Sequence, residues 1–260
     1  MNAQKNSRIK QANKVFQLSS DMLKKGKVRA AYLKHCESFL PVRDEGQEIS
    51  MEGSLSFTQT EALKSDELCG VLVFGSARKP GGGYLTGAKA QEEDVSLLGT
   101  WGVQAAAVND FYKNDTVLGP DSVLIAKGYW LFDGRWRPLE KKAVVFAGIS
   151  APNLKRKEAK EADKAVLRKH LAARVAGALD GMFENGCACA VLGAIGCGVF
   201  EWDPKESAQA VRQGILKHQA NHGKNMRIVL AIPDKTFLDV FENEMKGNGD
   251  LWKKPRKTFA

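Results

Sequence analysis

Residues 79–94, KPGGGYLTGAKAQEED, place three consecutive glycines seven residues ahead of a Gln-Glu-Glu cluster. Glycine lets main-chain N–H groups approach a phosphate closely, and paired carboxylates are the usual equipment for cutting a glycosidic bond. The combination points to a substrate that is both a phosphate and a sugar. A plainer account competes with it, because Asp and Glu also enrich the first turn of a helix, where they suit the dipole. The dipole lowers a carboxylate's pKa, whereas a general acid needs it raised, so burial must win that contest at a catalytic residue. A second loop, LGAIGCGVFEWDP (192–204), carries Gly193, Gly196 and Gly198. Neither loop fits a better-known phosphate motif: Lys89 falls one place late for a Walker A loop, and GAIGCG misses the dinucleotide fingerprint.

The elements that must position these loops are short apolar runs alternating with helices. CGVLVFGSA (69–77), AVVFAGISA (143–151), CACAVLGAI (187–195) and RIVLAIP (227–233) read as buried strands bounded by Gly, Pro or charge. Residues 154–183 and 204–219 are the clearest amphipathic helices, and a further helix is expected to begin near Gln91. Strands apolar on both faces between long helices describe a three-layer α/β/α fold with a mixed, mostly parallel sheet. Ligands of such sheets bind beyond the carboxyl ends of the strands, where both glycine loops fall. Ahead of this body, Ile9, Ala12, Val15, Phe16, Met22 and Leu23 repeat at helical spacing and stop at Gly26. The expected organisation is an N-terminal helical extension over 1–46 and one catalytic domain over 47–260.

Composition narrows the setting. A chain of 260 residues with 43% hydrophobic content can bury a full core. Lys+Arg 39 against Asp+Glu 30 leaves +9, enough to draw the protein towards polyanions. Five cysteines without paired-CxxC spacing argue for a reducing compartment. MNAQKNSRIKQANK has no apolar segment to follow it, and no apolar run approaches a membrane span. A soluble, intracellular, cytoplasmic monomer with no membrane contact is expected.

The form of GGGYLTGAKAQEE resembles the signature of poly(ADP-ribose) glycohydrolases. VLVFGSARKPGGGYLTGAKAQEEDVSLLG, VVFAGISAPN and LGAIGCGVFEWDP together are similar to the microbial type of that family, over roughly residues 50 to 235. The resemblance implies a macrodomain that binds ADP-ribose and hydrolyses a ribose–ribose or ribose–protein bond with no metal and no cofactor. It implies Glu93 as the catalytic residue, Glu92 as the holder of ribose hydroxyls and Gln91 as their support. By the same carry-over Gly81, Gly82 and Gly83 pass close to the distal ribose and diphosphate. Gly196, Cys197, Gly198 and Val199 match the second phosphate loop, and Phe200 presses on the terminal ribose. Lys79 stands where relatives commonly have Asn, Ile195 where they have Trp, and Trp202 is an added aromatic, so substrate choice is the property these departures touch.

The chemistry follows from the residues as well. Breaking the bond at an anomeric carbon passes through an oxocarbenium-like transition state, and the leaving oxygen needs a proton, which Glu93 can donate. A diphosphate held by glycine N–H groups fixes the sugar against that one acid. The substrate expected is an ADP-ribose unit on a polymer, a protein or a nucleic acid. A non-catalytic ADP-ribose-binding module would not need both acids, and a nucleic-acid-binding protein would leave the Gln-Glu-Glu cluster unexplained.

Other features read as structural. His218 and His222 sit four apart without the metalloprotease Glu between them and are expected on a solvated helix face. Cys187 and Cys189 alternate in a strand and are expected to point the same way as core thiols. YWLFDGRWRP (129–138) reads as a hairpin turning at Asp133–Gly134; core or edge packing explains most of it, and the alternative for Trp130, Trp136, Arg135 and Arg137 is a stacking surface for adenine or nucleic-acid bases. LWKKPRK (251–257) reads as a solvated basic tail.

Overall fold

The computed structural model of the protein describes residues 3–36, 42, 44–113, 119–223 and 226–247. The basic tail at 251–257 lies outside them. Seven strands form one sheet: β1 (Tyr32–His35), β2 (Glu52–Ser54), β3 (Cys69–Phe74), β4 (Ser122–Phe132), β5 (Pro138–Ile149), β6 (Cys189–Leu192) and β7 (Arg227–Ala231). Their order is β1-β4-β5-β3-β6-β7-β2. β5, β3, β6, β7 and β2 pair in parallel, and β4 runs antiparallel to both its neighbours. The sheet is therefore mixed and mostly parallel, as the both-faces-apolar strands require.

Helices cover both faces. On one face Leu167, Leu171, Val175 and Leu179 of α7 (Lys164–Glu184), Val211 and Ile215 of α8 (Pro204–His222) and Phe241 of α9 (Lys235–Met245) pack on Leu72, Ile125, Ala190 and Leu230. On the other, Val15 of α1 (Ala3–Lys24), Ala62 of α2 (Thr58–Lys64), Val95 of α3 (Gln91–Leu98), Trp101 of α4 (Trp101–Ala106) and Phe111 of α5 (Asn109–Tyr112) pack on Val71, Leu124, Phe146 and Val191. Alternate residues along each strand feed the two layers, which is the period-2 rule of a strand.

Several local outcomes depart from the sequence reading. The helix read over 154–183 is two, α6 (Lys157–Glu161) and α7, because Asp163 turns extended and accepts the Ala165 N–H as an N-cap. The N-terminal segment is built into the body: α1 packs against α3 and α4, and β1 pairs with β4 in the register Tyr32↔Ile125. The Cys pair does not share a face. β6 begins only at Cys189, and Cys187 belongs to the link from α7, so the two thiols enter opposite core layers. The hairpin forms between β4 and β5, where Asp133 Oδ1 accepts the N–H groups of Arg135 and Arg137, both at 2.9 Å. Trp130 offers no stacking face, being 1% exposed and set edge-on against Phe146 with ring centroids 5.1 Å apart. The five cysteines are free. Among the described residues no helix is long and apolar enough to cross a membrane.

Candidate active site

The parallel strands β3, β5, β6 and β7 end together, and the chain leaving each one lines a single cleft of about 440 Å³. Gly75 follows β3, Ala151 follows β5, the 194–200 loop follows β6, and Ile232, Pro233 and Asp234 follow β7. Phe57, Thr58, Lys89, Gln91 and Phe237 close it. Its size falls within the range of small-molecule sites.

The Gln-Glu-Glu cluster opens α3, and each of its side chains is held by backbone near the end of β3. Gln91 Oε1 accepts the Phe74 N–H at 2.9 Å, while its amide donates to Thr58 Oγ1 and to the Leu72 carbonyl, each at 2.8 Å. Gln91 thus fastens α3 to the strand end. Glu92 turns inward and is 3% exposed. Its Oε2 accepts the Ser76 N–H at 2.8 Å and its Oε1 the Trp101 indole N–H at 3.3 Å. Burial pushes the Glu92 carboxyl up to about 8, although the N–H groups of Ser76, Trp101 and Gly81 favour its charged form; the neighbouring Glu93 adds to the rise. Burial wins the contest against the helix start here, at the first of the two acids.

Glu93 is 8% exposed, and its Oε1 accepts the Gly83 N–H at 2.7 Å. Among the described residues no other hydrogen bond engages its side chain, so its Oε2 is unengaged. The triple glycine is shaped around these acids. Gly82 lies at φ +64°, and a Cβ there would come within 2.7 Å of Glu93 Cδ. A side chain would therefore displace the carboxylate even if the left-handed backbone tolerated it. Neither Glu92 nor Glu93 lines the cleft itself; they flank it beyond Gly75, beside the glycine turn.

The second loop differs in character. Gly196, Cys197, Gly198, Val199 and Phe200 all line the cleft. Gly196 is left-handed at φ +81°, and a Cβ there would meet Trp202 Cδ1 at 2.6 Å. Trp202 is buried beneath the loop with its indole N–H donating to the Pro152 carbonyl at 2.8 Å, so the added aromatic braces the loop and does not line the cleft. Gly198 has no positive φ, and a Cβ on it would meet nothing within 4 Å. Burial pushes the Cys197 thiol up to about 11, which leaves it a neutral packing group.

Sequence reasoning missed the residues that brace this site from a distance. Arg8 of α1 donates to the Ala88 carbonyl at 2.9 Å and pairs with Asp94 at 2.7 Å, Gln11 donates to the Leu97 carbonyl at 3.1 Å, and Lys89 Nζ donates to Gln4 Oε1 at 2.8 Å. No local signal marks them, because their partners lie some eighty residues further along the chain. Thr58, Asp234 and Phe237 on the cleft walls were likewise unmarked.

Residues 2–120 match the family model of the microbial-type PARG catalytic domain. That stretch contains the triple glycine and the Gln-Glu-Glu cluster. The PARG resemblance extends to the fold. The chain is similar to poly(ADP-ribose) glycohydrolase from Thermomonospora curvata, with a TM-score of 0.73 at 23% identity over 92% of this chain and 99% of that one. The same enzyme bound to the inhibitor ADP-HPD aligns equally well, with a TM-score of 0.73 at 24% identity. Poly(ADP-ribose) glycohydrolase from Deinococcus radiodurans in complex with ADP-ribose aligns at 26% identity, with a TM-score of 0.63 over 75% of this chain and 84% of that one. No curated protein matches the chain. The α/β frame is thus what the chain shares with these structures.

Proposed function

We propose that the protein is an ADP-ribosyl glycohydrolase of macrodomain type that releases ADP-ribose from poly(ADP-ribose) or from an ADP-ribosylated protein or nucleic acid. The observation that carries the reading is the Glu93 carboxylate, suspended from the Gly83 N–H with one oxygen unengaged, beside a cleft walled by the second glycine loop. The similarity to a glycohydrolase in complex with ADP-ribose supports the ligand class.

In this reading the diphosphate lies along the 196–199 backbone, and Phe200 and Gly75 border the sugar. Glu93 gives its proton to the leaving oxygen through Oε2 as the anomeric bond breaks, then takes one from the attacking water. Glu92 is too fully committed to Ser76 and Trp101 to move far. It acts by position, as a largely neutral buried carboxyl that ties the Ser76 backbone and the Trp101 indole together beside Glu93. Fixing the sugar through its phosphates supplies orientation, a large part of what a glycohydrolase with a single proton donor requires. Chelators leave this activity intact, since no step calls for a metal.

The test is to incubate the protein with poly(ADP-ribose), mono-ADP-ribosylated protein and ADP-ribosylated DNA and to measure free ADP-ribose. Release from at least one substrate, lost in Glu93→Gln, is expected. Tight ADP-ribose binding with no release from any of the three would make the protein a reader of the modification and overturn the enzymatic reading.

A further inference from the structure

His218 is not on a solvated face. It is 1% exposed, and it meets His222 and a third residue the sequence did not connect with them, Asp180 of α7. Asp180 Oδ1 lies 2.6 Å from His218 Nδ1 and 3.0 Å from His222 Nε2. We infer that Asp180, His218 and His222 form a binding site for one divalent transition-metal ion of the zinc type, joining α7 to α8.

Two imidazoles and a carboxylate are a ligand set suited to such an ion, and the i, i+4 spacing puts both imidazoles on one side of a helix. Their three donor atoms all lie within 4.8 Å of one another. Metal–ligand bonds of about 2.0–2.2 Å place tetrahedral donors roughly 3.3 Å apart, so small side-chain rotations convert the hydrogen-bonded cluster into a coordinating one. The surroundings hold the ligands in place. The Phe183 ring packs against both imidazoles, at 5.7 Å from His218 and 4.6 Å from His222, and Asn221 Nδ2 donates to the second Asp180 oxygen at 3.3 Å. An outer partner of that kind orients a ligating carboxylate. His222 and Asp180 keep partial exposure, 22% and 15% of their side chains, which gives an ion a way in and a water a fourth position.

The site is separate from the cleft. α8 leaves the second glycine loop at Pro204, and His222 stands at its other end, about 27 Å away at 1.5 Å per residue. The ion is a staple between two helices and takes no part in hydrolysis, so its test is independent of the glycohydrolase reading.

The full-length, untagged protein, stripped with chelator and desalted, is titrated with Co²⁺ by absorption and with Zn²⁺ by calorimetry. One equivalent of each ion is expected to bind, with ligand-field bands of tetrahedral strength for cobalt and a raised melting midpoint for zinc. Asp180→Asn keeps an oxygen that accepts from both imidazoles but is a poor metal ligand, and His222→Ala removes a ligand at the more exposed edge. Each should weaken Zn²⁺ binding at least about tenfold while the circular dichroism stays native. The absence of saturable binding, or equal binding by both variants and the parent, would overturn the site and leave a hydrogen-bonded latch.

Discussion

The two glycine loops look alike in sequence and serve different partners. In the first, Gly82 is left-handed and packed so that a side chain would strike Glu93, and Gly83 spends its N–H on that same carboxylate. In the second, the left-handed residue is Gly196, wedged on Trp202, whereas Gly198 faces open space on the cleft wall. A glycine-rich turn at a strand end is thus two devices here. One shapes the protein around its own acids, and the other leaves backbone bare on the cleft wall.

Substitutions separate the two. The largest effect is expected from Gly82→Ala, which pushes the Glu93 carboxylate out of place and strains a backbone at φ +64°. Turnover should fall by at least about 10²-fold, the scale of losing an acid–base group, with a drop in stability of about 1–3 kcal/mol. Activity close to the parent would show that the triple glycine does not set the acid. Gly198→Val, by contrast, should leave the melting midpoint unchanged and weaken ADP-ribose binding by roughly tenfold, about 1.4 kcal/mol. Calorimetry giving the parent's affinity would remove this backbone from the site.

A pH series sharpens the contrast at the first loop. Glu92 is raised in the folded protein from the ordinary 4.5 to about 8, so between those values the folded state holds a proton that the unfolded chain has released. That contribution to stability is complete below pH 4.5 and is lost as pH rises through about 8. Glu92→Gln should therefore flatten the dependence over that window and be the more stable protein at its alkaline end. Parallel stability curves for the two would contradict the burial of this carboxyl. The smallest effect concerns the lysines of the first loop, exposed Lys79 and cleft-lining Lys89. On a polyanionic substrate the Michaelis constant should rise steeply with salt, and Lys79→Ala and Lys89→Ala should each flatten the slope by about one unit. A salt-insensitive constant would mean that these lysines meet no phosphate of the substrate.

What was legible in the sequence was what local pattern carries. The apolar runs gave β3, β5, β6 and β7, the turn at Asp133 gave the hairpin, and the amphipathic spacing over 204–219 gave most of α8. Polar edge strands such as Tyr32–His35 and Glu52–Ser54 have no apolar alternation and were invisible, since pairing alone makes them strands. The site was half legible. Its triple glycine and its acids stand in one stretch, but which acid is deeply buried depends on Trp101 and Ser76, and the support of α3 by Arg8 and Gln11 depends on contacts across the chain. The open position of Gly198 and the left-handed one of Gly196 could not be told apart from a shared residue type. Asp180 lies 38 residues before His218, so their convergence needed the packing of α7 on α8.

The central claim is that Glu93 delivers the proton while the second glycine loop holds ADP-ribose. It is tested most directly by Glu93→Gln, which keeps the side chain's size and its acceptor for the Gly83 N–H but removes the acid. Single-turnover release of ADP-ribose should fall by at least about 10²-fold while calorimetry gives an ADP-ribose affinity close to the parent's. Near-normal release from the variant would contradict the account.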